Sequence, residues 1–115
     1  MILYKSLGLS AREAAEIMAD ITEMIEKKMS DEEIAKKLAE KYSGVKLSFA
    51  ALTLGRLIGM SYAVSDREKA KGILVDFKRF LRILRIKGRD ELVKVIEREI
   101  LEETFREIEE LKDVV

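Results

Sequence analysis

None of the 115 residues is proline, and the motif Ser-x-x-Glu stands at Ser10/Glu13, Ser30/Glu33 and Ser65/Glu68. A serine ahead of a helix accepts from the backbone N–H three residues on. A glutamate at that third position reaches back to the serine's own N–H, so each motif reads as a capping box that starts a helix. The first helix is expected from Ala11 to about Met29, with Ile17, Ile21, Met24 and Ile25 on one face. The second, Asp31 to Tyr42, steps Ile34, Leu38 and Tyr42 in fours and stops at Ser43-Gly44. A third begins at Ser48 and reaches about Ala63, a fourth runs from Asp66 to about Ile86, and a fifth fills Asp90 to Lys112. The chain is too short for two ordinary domains, so residues 1–115 are expected to form one all-α domain of about five helices.

Composition narrows the chemistry. His, Cys, Pro and Trp are absent, and so are Asn and Gln. Without His or Cys there is no zinc finger, thiol or imidazole nucleophile, haem ligand or disulfide, which leaves oxygen ligands and Lys, Tyr, Ser or carboxylate chemistry. No enzyme activity, cofactor, metal or small-molecule substrate is expected. The abundance of Lys, Glu and Arg with no Asn, Gln or Cys is the pattern of hyperthermophile proteins. No stretch approaches the roughly 18 uninterrupted apolar residues of a spanning helix, and the first residues lack a secretory cleavage site. A cytoplasmic, non-membrane protein is the expectation.

The 22 basic and 22 acidic side chains cancel only as an average. Residues 1–43 carry a net −2, residues 44–89 a net +8 and residues 90–115 a net −6. Such asymmetry hints at contact with nucleic acid or another anionic surface, although folding can also bring opposed blocks together as internal ion pairs. Within the basic block Lys78, Arg82, Arg85 and Arg89 fall four, three and four residues apart, with Lys71 one heptad upstream of Lys78. On a helix they form one stripe opposite Ile73, Phe77, Phe80, Leu81 and Leu84. Read functionally, the stripe meets phosphates; read structurally, it pairs with acidic neighbours such as those of the last helix. Asn and Gln, the usual bidentate partners of adenine, are missing, so backbone binding of low sequence specificity is the natural form of any nucleic-acid contact.

The segment Asp31 to Tyr42, a short turn, and Ser48 to Met60 resemble the helix-turn-helix of DNA-binding proteins. The run Leu54-Gly55-Arg56-Leu57-Ile58-Gly59-Met60 also looks like the end of a recognition helix in winged-helix domains of some replication proteins. That resemblance implies an alternative fold in which residues 62–77 form a basic hairpin, with Arg56, Arg67, Lys69 and Lys71 facing DNA. The third capping box, at Ser65, opposes it.

Four further patterns bear on packing and function. The third helix is apolar almost all round: Ala50, Ala51, Leu54, Leu57, Ile58 and Tyr62 take one side, while Phe49, Leu52 and Met60 take the other. It is therefore expected to be central and buried, or covered by a partner. Ala51, Gly55, Gly59 and Ala63 form a ladder of small residues suited to close helix packing or to a phosphate backbone. Glu13, Glu16, Asp20 and Glu23 share a face, as do Glu99, Glu103 and Glu107, and a solvated face is the expected role of both. The last helix carries two apolar rows, Leu92, Ile96, Ile100, Ile108 and Val93, Leu101, Phe105, Leu111, broad enough to pack on the domain and reach a second subunit. A homo-oligomer, most simply a homodimer, is expected. Two functions remain open: a nucleic-acid-associated protein, in a regulatory or replication-accessory setting, that uses Lys71, Lys78, Arg82, Arg85, Arg89 and Arg56; or a helical interaction subunit that binds no nucleic acid.

Overall fold

A computed structural model describes residues 3–62 and 78–114, and among these every regular element is a helix. A short α1 (Leu3–Ser6) is followed by α2 (Ala11–Glu26), α3 (Asp31–Lys41) and α4 (Gly44–Tyr62). Residues 78–87 form the described part of α5, and α6 spans Arg89–Val114. The all-α expectation holds. The alternative hairpin over 62–77 falls outside the described residues except for Tyr62, which closes α4.

Capping explains the helix starts. Ser10 Oγ accepts from the Glu13 N–H at 3.1 Å while Glu13 Oε1 accepts from the Ser10 N–H at 3.1 Å, a complete capping box. Ser30 makes the forward half alone, accepting from the Glu33 N–H at 3.2 Å. Ser65 and Glu68 lie outside the described residues. The first helix stops at Glu26 rather than Met29, because Lys28 turns left-handed with φ 59°. The third expected helix starts at Gly44, four residues before Ser48. Gly44, with φ 61°, makes the turn out of α3, and Ser48 sits one turn inside α4, its hydroxyl donating to the Gly44 carbonyl. Gly88, at φ 87°, separates α5 from α6 on its own. Its N–H donates to the Leu84 carbonyl at 3.0 Å and its carbonyl accepts from the Leu92 N–H at 3.2 Å.

The central helix is α2, which packs against α1, α3, α4 and α6. Its Ala14, Ala15 and Ala19 are fully buried beside Ile17 and Ile21, and the small side chains let neighbours approach from several directions at once. The central place, one of the two expected for the third helix, belongs to α2; the other, cover by a partner, concerns a surface whose residues 56–62 have no described side chains. In α4, Phe49, Ala50 and Leu54 are buried, whereas Ala51 and Gly55 are exposed and Leu52 is 52% exposed. Phe49 thus lies on the inner side with Ala50 and Leu54, against the two-sided division expected from the helical wheel. Of the small-residue ladder, Ala51 and Gly55 open, with Ala35, Leu38, Leu47 and Leu54, onto an apolar groove of about 250 Å3, and a Cβ at Gly55 would meet nothing; Ala63 lies outside the described residues.

The core consists of Tyr4, Ile17, Ile21, Ile34, Leu38, Phe49, Phe80, Leu92 and Ile96 with the α2 alanines, and each large aliphatic among them removed from water contributes about 1.5–3 kcal/mol. Helices α1 and α6 meet in it, where Tyr4 Oη and Thr104 Oγ1 share a buried hydrogen bond of 3.0 Å.

Candidate nucleic-acid interface

Helix α5 lays Phe80 into the core, with Ile83 and Leu84 packed against it, so the opposite side of the helix faces solvent. Lys78, Arg82 and Arg85 are all exposed on that side, as the expected stripe requires. Their electrostatic situations differ. Neither Lys78 nor Arg82 pairs with a carboxylate among the described residues. Arg85 is taken by the end of α2: its Nε donates to both Glu26 oxygens at 2.9 Å and its NH2 lies 2.8 Å from Oε2. The Arg85 bond holds the Glu26 carboxyl below its ordinary range.

Arg89, where the chain turns into α6, reaches into the fold. Its NH1 donates to Asp20 Oδ1 at 2.5 Å and to Glu23 Oε1 at 3.1 Å. Asp20 is buried in the middle of α2, at 4% exposure, and its other oxygen meets Lys41 Nζ at 2.7 Å and accepts from the Tyr42 hydroxyl. Burial alone raises the Asp20 carboxyl. The Lys41 ammonium, the Tyr42 hydroxyl and the Arg89 charge outweigh that and hold it below the ordinary carboxylate range. Burial, and then the Asp20 carboxylate, push the Tyr42 phenol well above its usual range.

The acidic row of α2 is therefore not a uniformly solvated face. Glu16 is exposed and Glu13 half-buried, but Asp20 is a buried charge that draws α3 and the α5–α6 turn onto α2. Sequence reasoning missed Asp20, Lys41 and Tyr42 as a unit. A signal was present: Asp20 is the one charged residue in Ile17-Met18-Ala19-Asp20-Ile21-Thr22, and Tyr42 continues the inward row of Ile34 and Leu38.

The pairing also differs in direction from the expected one. Arg85 and Arg89 answer carboxylates of α2, not of the last helix. The cation of α5 that does pair with α6 is Arg79, whose two NH groups meet the two oxygens of Glu99, NH2 at 2.7 Å from Oε2. The other expected site residues are not brought to this face by anything described: Lys71, Arg67 and Lys69 lie outside the described residues, and Arg56 belongs to α4 with its side chain outside them.

Folding adds cations that sequence order kept apart. Lys27, Lys37 and Lys41 stand around an open recess of about 200 Å3 shared with Asp20, Glu23 and Met24, so they adjoin Arg89. Arg85 NH1 and Arg89 Nε and NH2 meet no acceptor among the described residues. The two arginines are thus fixed by α2 carboxylates on one edge with donors remaining on the other. Chemically the surface can attract and hold an anion by charge and N–H donors, without a built pocket for any small molecule. Among the described residues no cluster could hold a metal, and no helix is long and apolar enough to cross a membrane. Comparison with protein-family models, with curated proteins and with solved structures finds no match to this chain.

Proposed function

We propose that the protein binds the phosphate backbone of nucleic acid, with low sequence specificity, through a basic face centred on Lys78 and Arg82. The single observation that carries this reading is their position on the outer side of α5 without a carboxylate partner among the described residues. Arg85 borders the face and contributes its remaining donors, and Lys27 and Lys37 extend it around the end of α2. Arg89 is chiefly a positioning residue, because Asp20 and Glu23 already claim its charge. Arg56 and Lys71 stay candidates for enlarging the face. Contacts of this kind release counterions and are blind to base sequence. The helix pair α3–α4 has the order of a helix-turn-helix, joined through Tyr42 and Ser43, but the proposal does not need α4 to read bases.

The rival reading, a helical interaction subunit with no affinity for nucleic acid, is favoured by the in-chain neutralisation of Arg85 and Arg89. Titrating labelled duplex DNA and RNA of unrelated sequences with the protein across a salt series decides between them. Binding that is indifferent to sequence, weakens steeply with salt and vanishes when Lys78 and Arg82 are both changed to Glu supports the first. Wild-type protein that fails to bind at low ionic strength leaves only the second.

A further inference from the structure

The row that begins with Lys78 and Arg82 does not end in a third cation. Steps of four residues along α5 lead from Lys78 through Arg82 to Ile86, which is 73% exposed, more than any other large hydrophobic residue described. It stands on the last turn before Gly88. Residues 78–91 carry six cations and two carboxylates, Asp90 and Glu91, both of them past Gly88 on α6. At 100° per residue Arg85 and Lys87 lie to either side of Ile86, and Arg82 lies one turn behind it. Arg79 pairs with Glu99 across the Gly88 turn, so α5 and α6 double back on each other and Ile86 projects near the tip.

We propose that Ile86 is a wedge that enters the minor groove of duplex DNA and parts two stacked base pairs, kinking the duplex while Arg82, Arg85 and Lys87 hold the phosphates beside it. This role rests on the phosphate-backbone reading and gives it one ligand, duplex DNA. An apolar side chain ringed by cations suits a ligand that is anionic outside and apolar within, and stacked base pairs between two phosphate backbones have that build. A helix about 10–12 Å across is too thick for a groove about 6 Å wide, so only a side chain near a tip reaches the bases there. Aliphatic side chains inserted between base steps bend DNA toward the major groove. A single strand would call for an aromatic platform instead, and Phe80, the one aromatic among residues 78–87, is buried in the core. The wedge reads no pattern of donors and acceptors, so low sequence specificity is kept.

The full chain, titrated at low salt onto a DNA duplex with donor and acceptor dyes at its two ends, tests the wedge. Energy transfer should rise with wild type, reporting a kink of about 20–90°, and should stay at the free-DNA value with Ile86→Ala. The variant should bind about tenfold more weakly, for the lost apolar burial, yet keep the wild-type slope of log affinity against log salt because its phosphate contacts remain. Ile86→Leu should restore the kink. Wild type that binds with its full salt dependence and leaves the duplex straight overturns the wedge while the backbone reading stands, and so does a kink that survives Ile86→Ala. Wild type that binds no nucleic acid at low salt overturns both. Ile86-dependent attachment to phosphatidylglycerol vesicles, with the DNA left straight, would assign the tip to a lipid surface and also overturns the wedge.

Discussion

The Tyr42 hydroxyl donates to the buried Asp20 carboxylate across the junction of α2 and the end of α3, and Lys41 and Arg89 close on the same two oxygens. One carboxylate thereby ties the central helix to the end of α3 and to the α5–α6 turn. Replacing Asp20 with Asn keeps the shape and removes the charge. Arg89 and Lys41 are partly exposed and find water, so the expected loss is about 1–3 kcal/mol rather than that of a fully buried pair. The pH dependence has a definite sign. The folded carboxyl lies below its ordinary value of about 3.9, so its contribution is complete above that pH and is lost as pH falls through the folded value. Urea melts from pH 2 to pH 7 should show this acid decline in wild type and a shallower one in Asp20→Asn.

Tyr42→Phe keeps the ring and deletes the donor. A loss of about 1 kcal/mol is expected, because Asp20 retains Lys41 and Arg89. The folded phenol is raised, so its contribution is present below about pH 10 and is lost as pH climbs beyond that. In an ultraviolet absorbance titration the wild type should contain a phenol ionising well above the ordinary range, absent from Tyr42→Phe.

Within the basic face, substitutions should divide into two kinds. Lys78→Ala and Arg82→Ala should leave stability within about 0.5 kcal/mol and flatten the slope of log affinity against log salt by about 0.9 each for duplex DNA, or about 0.7 for single strands. Arg89→Ala should do the reverse, melting earlier because Asp20 and Glu23 lose their shared partner, with a smaller change of slope. Thermal melts and the salt series on the same variants distinguish the two kinds. Equal slope changes for Arg89 and Arg82 would remove the distinction.

Ser10→Ala removes the Oγ that accepts from the Glu13 N–H, while the backbone N–H at position 10 still donates to Glu13, and should cost about 0.5–2 kcal/mol by chemical denaturation. Ser30→Ala loses the equivalent forward bond, from the Glu33 N–H, and should fall in the same range.

Helix starts were legible because capping is a local affair: Ser10 and Glu13 need only each other, and their box forms as the spacing requires. The identity of the central helix was not. A helical wheel weights α4 by its large apolar residues, whereas the position of α2 depends on Ala14, Ala15 and Ala19, whose value lies in what they allow neighbours to do. The stripe on α5 was legible as a face but not as a charge. Whether Arg85 is free depends on Glu26, 59 residues away, and whether Arg89 is free depends on Asp20, 69 residues away. Periodicity carries no information about such partners.

The hydrogen bond between Tyr4 and Thr104 joins residues 100 positions apart in the innermost part of the protein. During synthesis, α2 is available to Tyr4 early, but the hydroxyl that its own hydroxyl meets does not exist until α6 has left the ribosome. Helix α1 therefore gains this bond only after the hundred residues that follow Tyr4 have been made. The bond thus links the earliest helix to the last one across the whole of the domain between them.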